Sequence, residues 1–134
     1  MNCSDVITGY LQAAGIKHIF GYPGDPSVEL LETARRNGIE FVLARREGTA
    51  GLMAAAYGQI TGMPGVCLST LGPGSSNLVN AVASAMLDRT PMIALSGQIE
   101  GKREHVFTHQ VLDHNAMFAS ISKWAAPIRP DTVA

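Results

Sequence analysis

The stretch "IEFVLARREGTAGLMAAAYGQITGMPGVCLST" (Ile39–Thr70) decides how this chain folds. Its two ends, "IEFVLA" and "GVCLST", are short, nearly continuous apolar runs, the pattern of strands covered on both faces. Between them "EGTAGLMAAAYGQITG" is too long for one strand and reads as a helix of mostly small apolar residues. A strand, a helix and a strand of these lengths predict a right-handed crossover between parallel strands. At the first junction stands one carboxylate, Glu47, with Phe41, Val42 and Leu43 before it and Ala50, Leu52 and Met53 after it. An acid at the meeting point of two apolar elements calls for a physical reason.

The same alternation extends both ways. "KHIFGY", "PMIALSG" and "ISKWAAPI" read as further strands, and "MNCSDVITGYLQAAG", "PSVELLETARRNG" and "SSNLVNAVASAMLDR" as helices. The expected fold class is α/β: one domain over residues 1–134, an open, mostly parallel sheet with helices on both faces. Asp25 followed by Pro26 suits a helix N-cap and first helical position. Gly38 suits the stop of that helix, with Arg35 and Arg36 in its last turn. The terminal "RPDTVA" looks like a helix start capped by Asp131, with three residues after it. The expectation there is a frayed tail or a longer protein that continues past Ala134.

Composition narrows the function classes. The 134 residues are 46% hydrophobic and 16% charged with net charge −1, which describes a soluble globular chain. No basic excess argues for nucleic acid. The apolar runs stop well short of the ~20 residues of a membrane span, and the N-terminus lacks signal-peptide order. The expected location is the cytoplasm. Cys3 and Cys67 are too few for a disulfide framework, and Cys67 in "GVCLST" reads as a small core hydrophobe.

Three turns, "FGYPGDP", "ARREGTAG" and "STLGPGSSN", fall where strands end, the edge at which open α/β sheets bind ligands. In "TLGPGSSN", Gly72 and Gly74 allow close approach, Pro73 stiffens the turn, and Ser75, Ser76 and Asn77 offer polar groups. A capped tight turn and a phosphate cradle both fit it, although neither G-x-G-x-x-G nor the P-loop pattern occurs. Glu47 also has two readings. A helix dipole favours a solvated acid at that position. Apolar surroundings would instead favour a protonated carboxyl able to share a proton with a ligand, an effect Arg45 and Arg46 would oppose if they faced it. His105, His109 and His114 with Asp113 pass the spacing test for zinc poorly, because H-x-x-x-H lacks the protease glutamate, so no metal ligand is expected. Lys102, Arg103 and Glu104 read as a solvated loop, and Trp124 as a packing aromatic.

Taken in order, "GYPG" (Gly21–Gly24), Arg45-x-Glu47, "TGMPGV" (Thr61–Val66), "TLGPGSSN" (Thr70–Asn77), "PMIALSGQ" (Pro91–Gln98) and His109-Gln110 with Asp113 resemble the N-terminal pyrimidine-binding domain of thiamine-diphosphate enzymes, most closely the acetolactate synthases. The resemblance covers nearly the whole chain. It implies that Glu47 hydrogen-bonds a ring nitrogen of the cofactor's aminopyrimidine. That bond would favour the imino tautomer that activates the thiazolium carbon for attack on a 2-oxo acid. It implies cofactor-binding roles for Tyr22, Pro23 and Gly24 in the first turn and for Thr70, Pro73 and Asn77 around the ring. It also places Gln110 near the reacting centre. Departures are Arg46 and Gly48 where "RHEQ" is common, Asp25 where many synthases have glycine, and His109 for a frequent phenylalanine.

The resemblance further implies a second, diphosphate-binding domain that holds Mg2+ through a Gly-Asp-Gly…Asn motif, which this sequence lacks. Half a site would then be completed by the same or a neighbouring subunit of a homo-oligomer, and the chain alone would be inactive. Some synthases also carry FAD. The expected activity is decarboxylation of pyruvate and transfer of the two-carbon unit to a second 2-oxo acid. A 2-oxo acid decarboxylase, a sulfoacetaldehyde acetyltransferase, a non-catalytic interaction domain and a generic nucleotide-binding domain remain alternatives.

Overall fold

The structure, a computed structural model, describes residues 2–99, 106 and 109–128. Four parallel strands, β1 (His18–Gly21), β2 (Glu40–Leu43), β3 (Gly65–Ser69) and β4 (Met92–Ser96), form one sheet in the order β2-β1-β3-β4. Helices α1 (Cys3–Ala13) and α2 (Val28–Arg36) meet one face; α3 (Glu47–Thr61) and α5 (Val79–Leu87) meet the other. The α/β expectation therefore holds, with helices on both faces.

Strand alternation sorts the core. Ile19, Val66 and Leu68 point to the α1/α2 side, where they meet Leu11, Ile16, Ala34 and Ile39. Their sequence neighbours Phe20 and Cys67 point to the α3/α5 side, with Ala50, Ala54, Leu78 and Val82. The reversal of direction after β2 explains why α2 and α3 lie on opposite faces. Going from β1 to β2 moves one way across the sheet and from β2 to β3 moves back, so crossovers of one hand must use opposite faces.

Close approach on the second face comes from small residues. A Cβ on Gly65 would fall on the Ala54 carbonyl, and one on Gly51 would lie 2.5 Å from the Ala81 Cβ. Helix α3 can therefore lie directly on β3 and against α5, and it stops at Gly62, which adopts φ +70°.

Several details differ from the sequence expectation. Asp25 is the first residue of a short 3-10 turn (Asp25–Ser27), not a helix cap. Gly24 precedes it, and Ser27 Oγ both accepts from the Gly24 N–H (3.0 Å) and donates to its carbonyl (2.7 Å). The helix read over "SSNLVNAVASAMLDR" begins earlier and is broken at Leu78 into α4 (Pro73–Asn77) and α5. "ISKWAAPI" is not a strand: after α6 (His114–Ala119), the Ile121 N–H turns back to the Phe118 carbonyl, and Pro127 has no N–H to offer a ladder. Trp124 is 77% exposed rather than packed. The readings placed on "RPDTVA" with Asp131, and on Lys102, Arg103, Glu104 and His105, lie outside the described residues. Among the described residues no helix is long and apolar enough to cross a membrane.

Two expected outcomes follow from the packing. Gly65→Ala should lower unfolding stability in urea by about 1–3 kcal/mol, because the obstacle is backbone. Gly9→Ala in α1, where a new Cβ meets nothing within 4 Å, should be neutral or stabilising by about 0.5–1 kcal/mol. Burial pushes the Cys67 thiol up to about 12, leaving almost no thiolate at pH 8. A thiol reagent should therefore label exposed Cys3 in the native chain and reach Cys67 only after denaturation.

Candidate functional site

The sheet order reverses between β1 and β3, and ligands of open α/β sheets bind beyond the strand ends at such a point. The turns leaving these two strands touch there. A Cβ on Gly24, in the turn after β1, would collide with the Thr70 hydroxyl and lie 2.5 Å from the Thr70 Cβ. The Tyr22 N–H donates to the Leu68 carbonyl at 3.3 Å, which ties the first turn to the end of β3. The side chains of Tyr22 and Pro23 are exposed at the rim.

Glu47 enters from the opposite side. It is the first residue of α3, where the helix dipole favours an acid, and it is 8% exposed. The acid is therefore buried and not solvated. Its Oε2 accepts a hydrogen bond from Asn77 Nδ2 at 3.0 Å. Its Oε1 lies 2.9 Å from the place a Cβ on Gly74 would occupy, and that same place is 2.5 Å from Thr70 Cγ2. Arg45 and Arg46 are exposed, and among the described residues Glu47 has no ion-pair partner. A buried carboxyl, satisfied on one oxygen by a neutral amide, thus packs its other oxygen close against Gly74 beside Thr70.

Residues from three turns far apart in sequence meet in this cradle: Gly24, Glu47, and Thr70 with Gly74 and Asn77. Pro73, exposed, starts α4 beside it. Gln110 is brought to the same turn through its backbone, since a Cβ on Gly72 would strike the Gln110 carbonyl. Gln110 itself takes φ +59° and has an exposed side chain.

Among the described residues no group of three His, Cys, Asp or Glu could hold an ion, and His105 lies outside them. His109 is exposed. His114 instead accepts from the Gly72 N–H through Nε2 at 3.0 Å. That contact joins residues 42 apart, whereas the sequence suggested a solvated or substrate-facing histidine or, less well, a metal ligand. The one local signal was Asp113, whose Oδ1 accepts from the Ala116 N–H at 2.9 Å and so starts α6 at the histidine.

Comparison with known proteins identifies the family. The family described as "Thiamine pyrophosphate enzyme, N-terminal TPP binding domain" matches residues 1–117. The chain is 36% identical over 125 residues to the catabolic acetolactate synthase of Raoultella terrigena, covering 93% of this chain and 22% of that protein. It is 35% identical over 126 residues to the acetolactate synthase of Bacillus subtilis (strain 168), covering 94% and 22% respectively. With the chloroplastic acetolactate synthase 2 of Nicotiana tabacum it shares 41% identity over 97 residues, 72% of this chain and 15% of that protein. The chain therefore spans no more than 22% of the length of these curated relatives. The parallel sheet, the cradle at its switch point and the match over residues 1–117 lead to one assignment: the chain belongs to the thiamine pyrophosphate enzyme family, as its N-terminal TPP binding domain.

Proposed function

We propose that this chain forms the pyrimidine-binding half of a thiamine-diphosphate-dependent, acetolactate-synthase-like carboligase of the cytoplasm. The observation that carries the reading is the buried Glu47 carboxyl, held on Oε2 by Asn77 with Oε1 close against Gly74. An aminopyrimidine ring fits the chemistry of such a cradle, being flat and presenting ring nitrogens to a carboxyl group. At Gly24 and Gly74 the places a side chain would take are filled by Thr70 and, at Gly74, also by Glu47, so the two glycines let these turns close on one another beside the carboxyl. Thr70 fills the corner between them.

Each residue then has a task. Glu47 holds a proton at a ring nitrogen of the aminopyrimidine, and Asn77 fixes the carboxyl orientation by occupying its other oxygen. Tyr22 and Pro23 border the ring from the first turn and Pro73 from the glycine-rich turn. Gln110, brought to that turn by its backbone, serves near the reacting centre. When bound, the cofactor supplies the carbon nucleophile for a 2-oxo acid and the electron sink for its decarboxylation. This reading assigns Mg2+, the diphosphate and any FAD of the full protein to residues outside this chain. They would belong to a diphosphate-binding domain of the same or a neighbouring subunit in a homo-oligomer. The acetolactate synthases named above support pyruvate as donor and a second 2-oxo acid as acceptor.

The test is product formation from pyruvate by the assembled enzyme with thiamine diphosphate and Mg2+. Acetolactate is the expected product; acetaldehyde alone would replace this reading with that of a simple decarboxylase. Glu47→Gln keeps the shape but removes the acid and should lower kcat by about 10²–10⁴-fold. Full activity in that variant would overturn the role given to Glu47. The isolated chain should show no thiamine-dependent turnover, since half of the site is supplied elsewhere.

A further inference from the structure

A second line of polar contacts runs behind the cradle. The Gly72 N–H donates to His114 Nε2 at 3.0 Å, and His114 Nδ1 lies 3.3 Å from Ser96 Oγ. Ser96 Oγ in turn donates to Ser75 Oγ at 2.9 Å, and Ser75 is fully buried. Four elements are joined this way: the turn after β3, α4, the end of β4 and the first turn of α6. Asp113 holds the histidine in place by capping α6.

Gly72 cannot be replaced in this geometry. Its φ is +56°, and a Cβ there would strike the backbone of Gln110. The N–H of this turn is satisfied by a side chain from far along the sequence. A donor on Nε2 requires a lone pair there, so the proton of the neutral imidazole sits on Nδ1 and is donated to Ser96 Oγ. Beside this contact the Gln98 side chain donates through Nε2 to the Leu112 carbonyl at 3.1 Å. The segment that follows Gln110 is therefore pinned to the sheet edge at two points, Leu112 and His114, just past Gln110's contact with Gly72.

We propose that His114 is a positioning residue. It locks the Gly72 turn, and with it Gly74 beside Glu47, in register with the loop that carries Gln110. Its functional consequence rests on the reading above, that the cradle takes the aminopyrimidine and Gln110 faces the reacting centre. His114 touches neither the cofactor nor the substrate in this account. It acts by setting the distance between two groups that do.

The test has two stages. In the chain itself, imidazole 15N spectra should report His114 with Nδ1 protonated and Nε2 bare. Amide exchange at Gly72 should then speed up about ten-fold or more in His114→Leu, which leaves that N–H without its acceptor. His114→Gln, whose Oε1 can take the place of Nε2, should keep exchange slow. If His114→Leu does not fold, His114→Asn serves, because its shorter amide reaches toward Ser96 but not toward Gly72. A protonated Nε2, or unchanged Gly72 exchange in the Leu or Asn variant, would overturn the proposal.

In the assembled enzyme the same variants are compared with Glu47→Gln. His114→Leu should raise the thiamine diphosphate concentration for half-saturation and lower kcat, each about ten-fold, with His114→Gln within about two-fold of the parent. Normal kinetics in His114→Leu beside a crippled Glu47→Gln would sink this inference and leave the site reading intact. If Glu47→Gln is also without effect, the site reading itself fails.

Discussion

Everything at the site depends on how closely α3 lies on the sheet. The contact is a steric one: Gly65 has no side chain where the Ala54 carbonyl sits, and Gly51 has none where Ala81 sits. Interiors pack at near-crystalline density, so even one methyl at such a point must displace a whole element. Because α3 is a rigid rod, its closeness to β3 also fixes where its first residue comes to rest. That residue is Glu47, and the same packing buries its carboxyl against α4.

The cradle is a further consequence of the same arrangement. A buried carboxyl is costly unless polar groups meet it. Asn77 meets one oxygen, and the other lies close against Gly74 beside Thr70. The turns that build this cradle are short and come from neighbouring strands, so their geometry is set by the sheet instead of by loop chemistry. Behind the cradle, the contacts of His114 and Gln98 bring a distant segment against the Gly72 turn. The site is thus a set of turns held by a scaffold, with polar links to hold the turns to one another.

Much of the fold was legible in the residues. Apolar runs of four or five residues separated by helical segments specified four of the strands and their parallel order, because only crossovers can join strands of that kind. Errors fell on the apolar segment "ISKWAAPI", on the cap at Asp25, on the break at Leu78 and on Trp124. For the apolar segment and Trp124 the competing answer is tertiary; at Asp25 it is a local turn. An apolar run looks like a strand whether or not an edge receives it, and the Gly24–Ser27 hydrogen bonds that displaced the Asp25 cap are invisible to helix-start rules.

By itself, the sequence determined the α/β class, the position of the turns at one edge of the sheet, and Glu47 as the residue to watch. These follow from periodicity and from local turn chemistry, which act over a few residues. Only the tertiary structure decided that Glu47 is buried and that Asn77 takes one of its oxygens. The same holds for Gly24 meeting Thr70 and for His114 serving Gly72 rather than a metal. Those facts join residues that are tens of positions apart, and no local pattern encodes a contact whose distance is set by the packing of helices on a sheet.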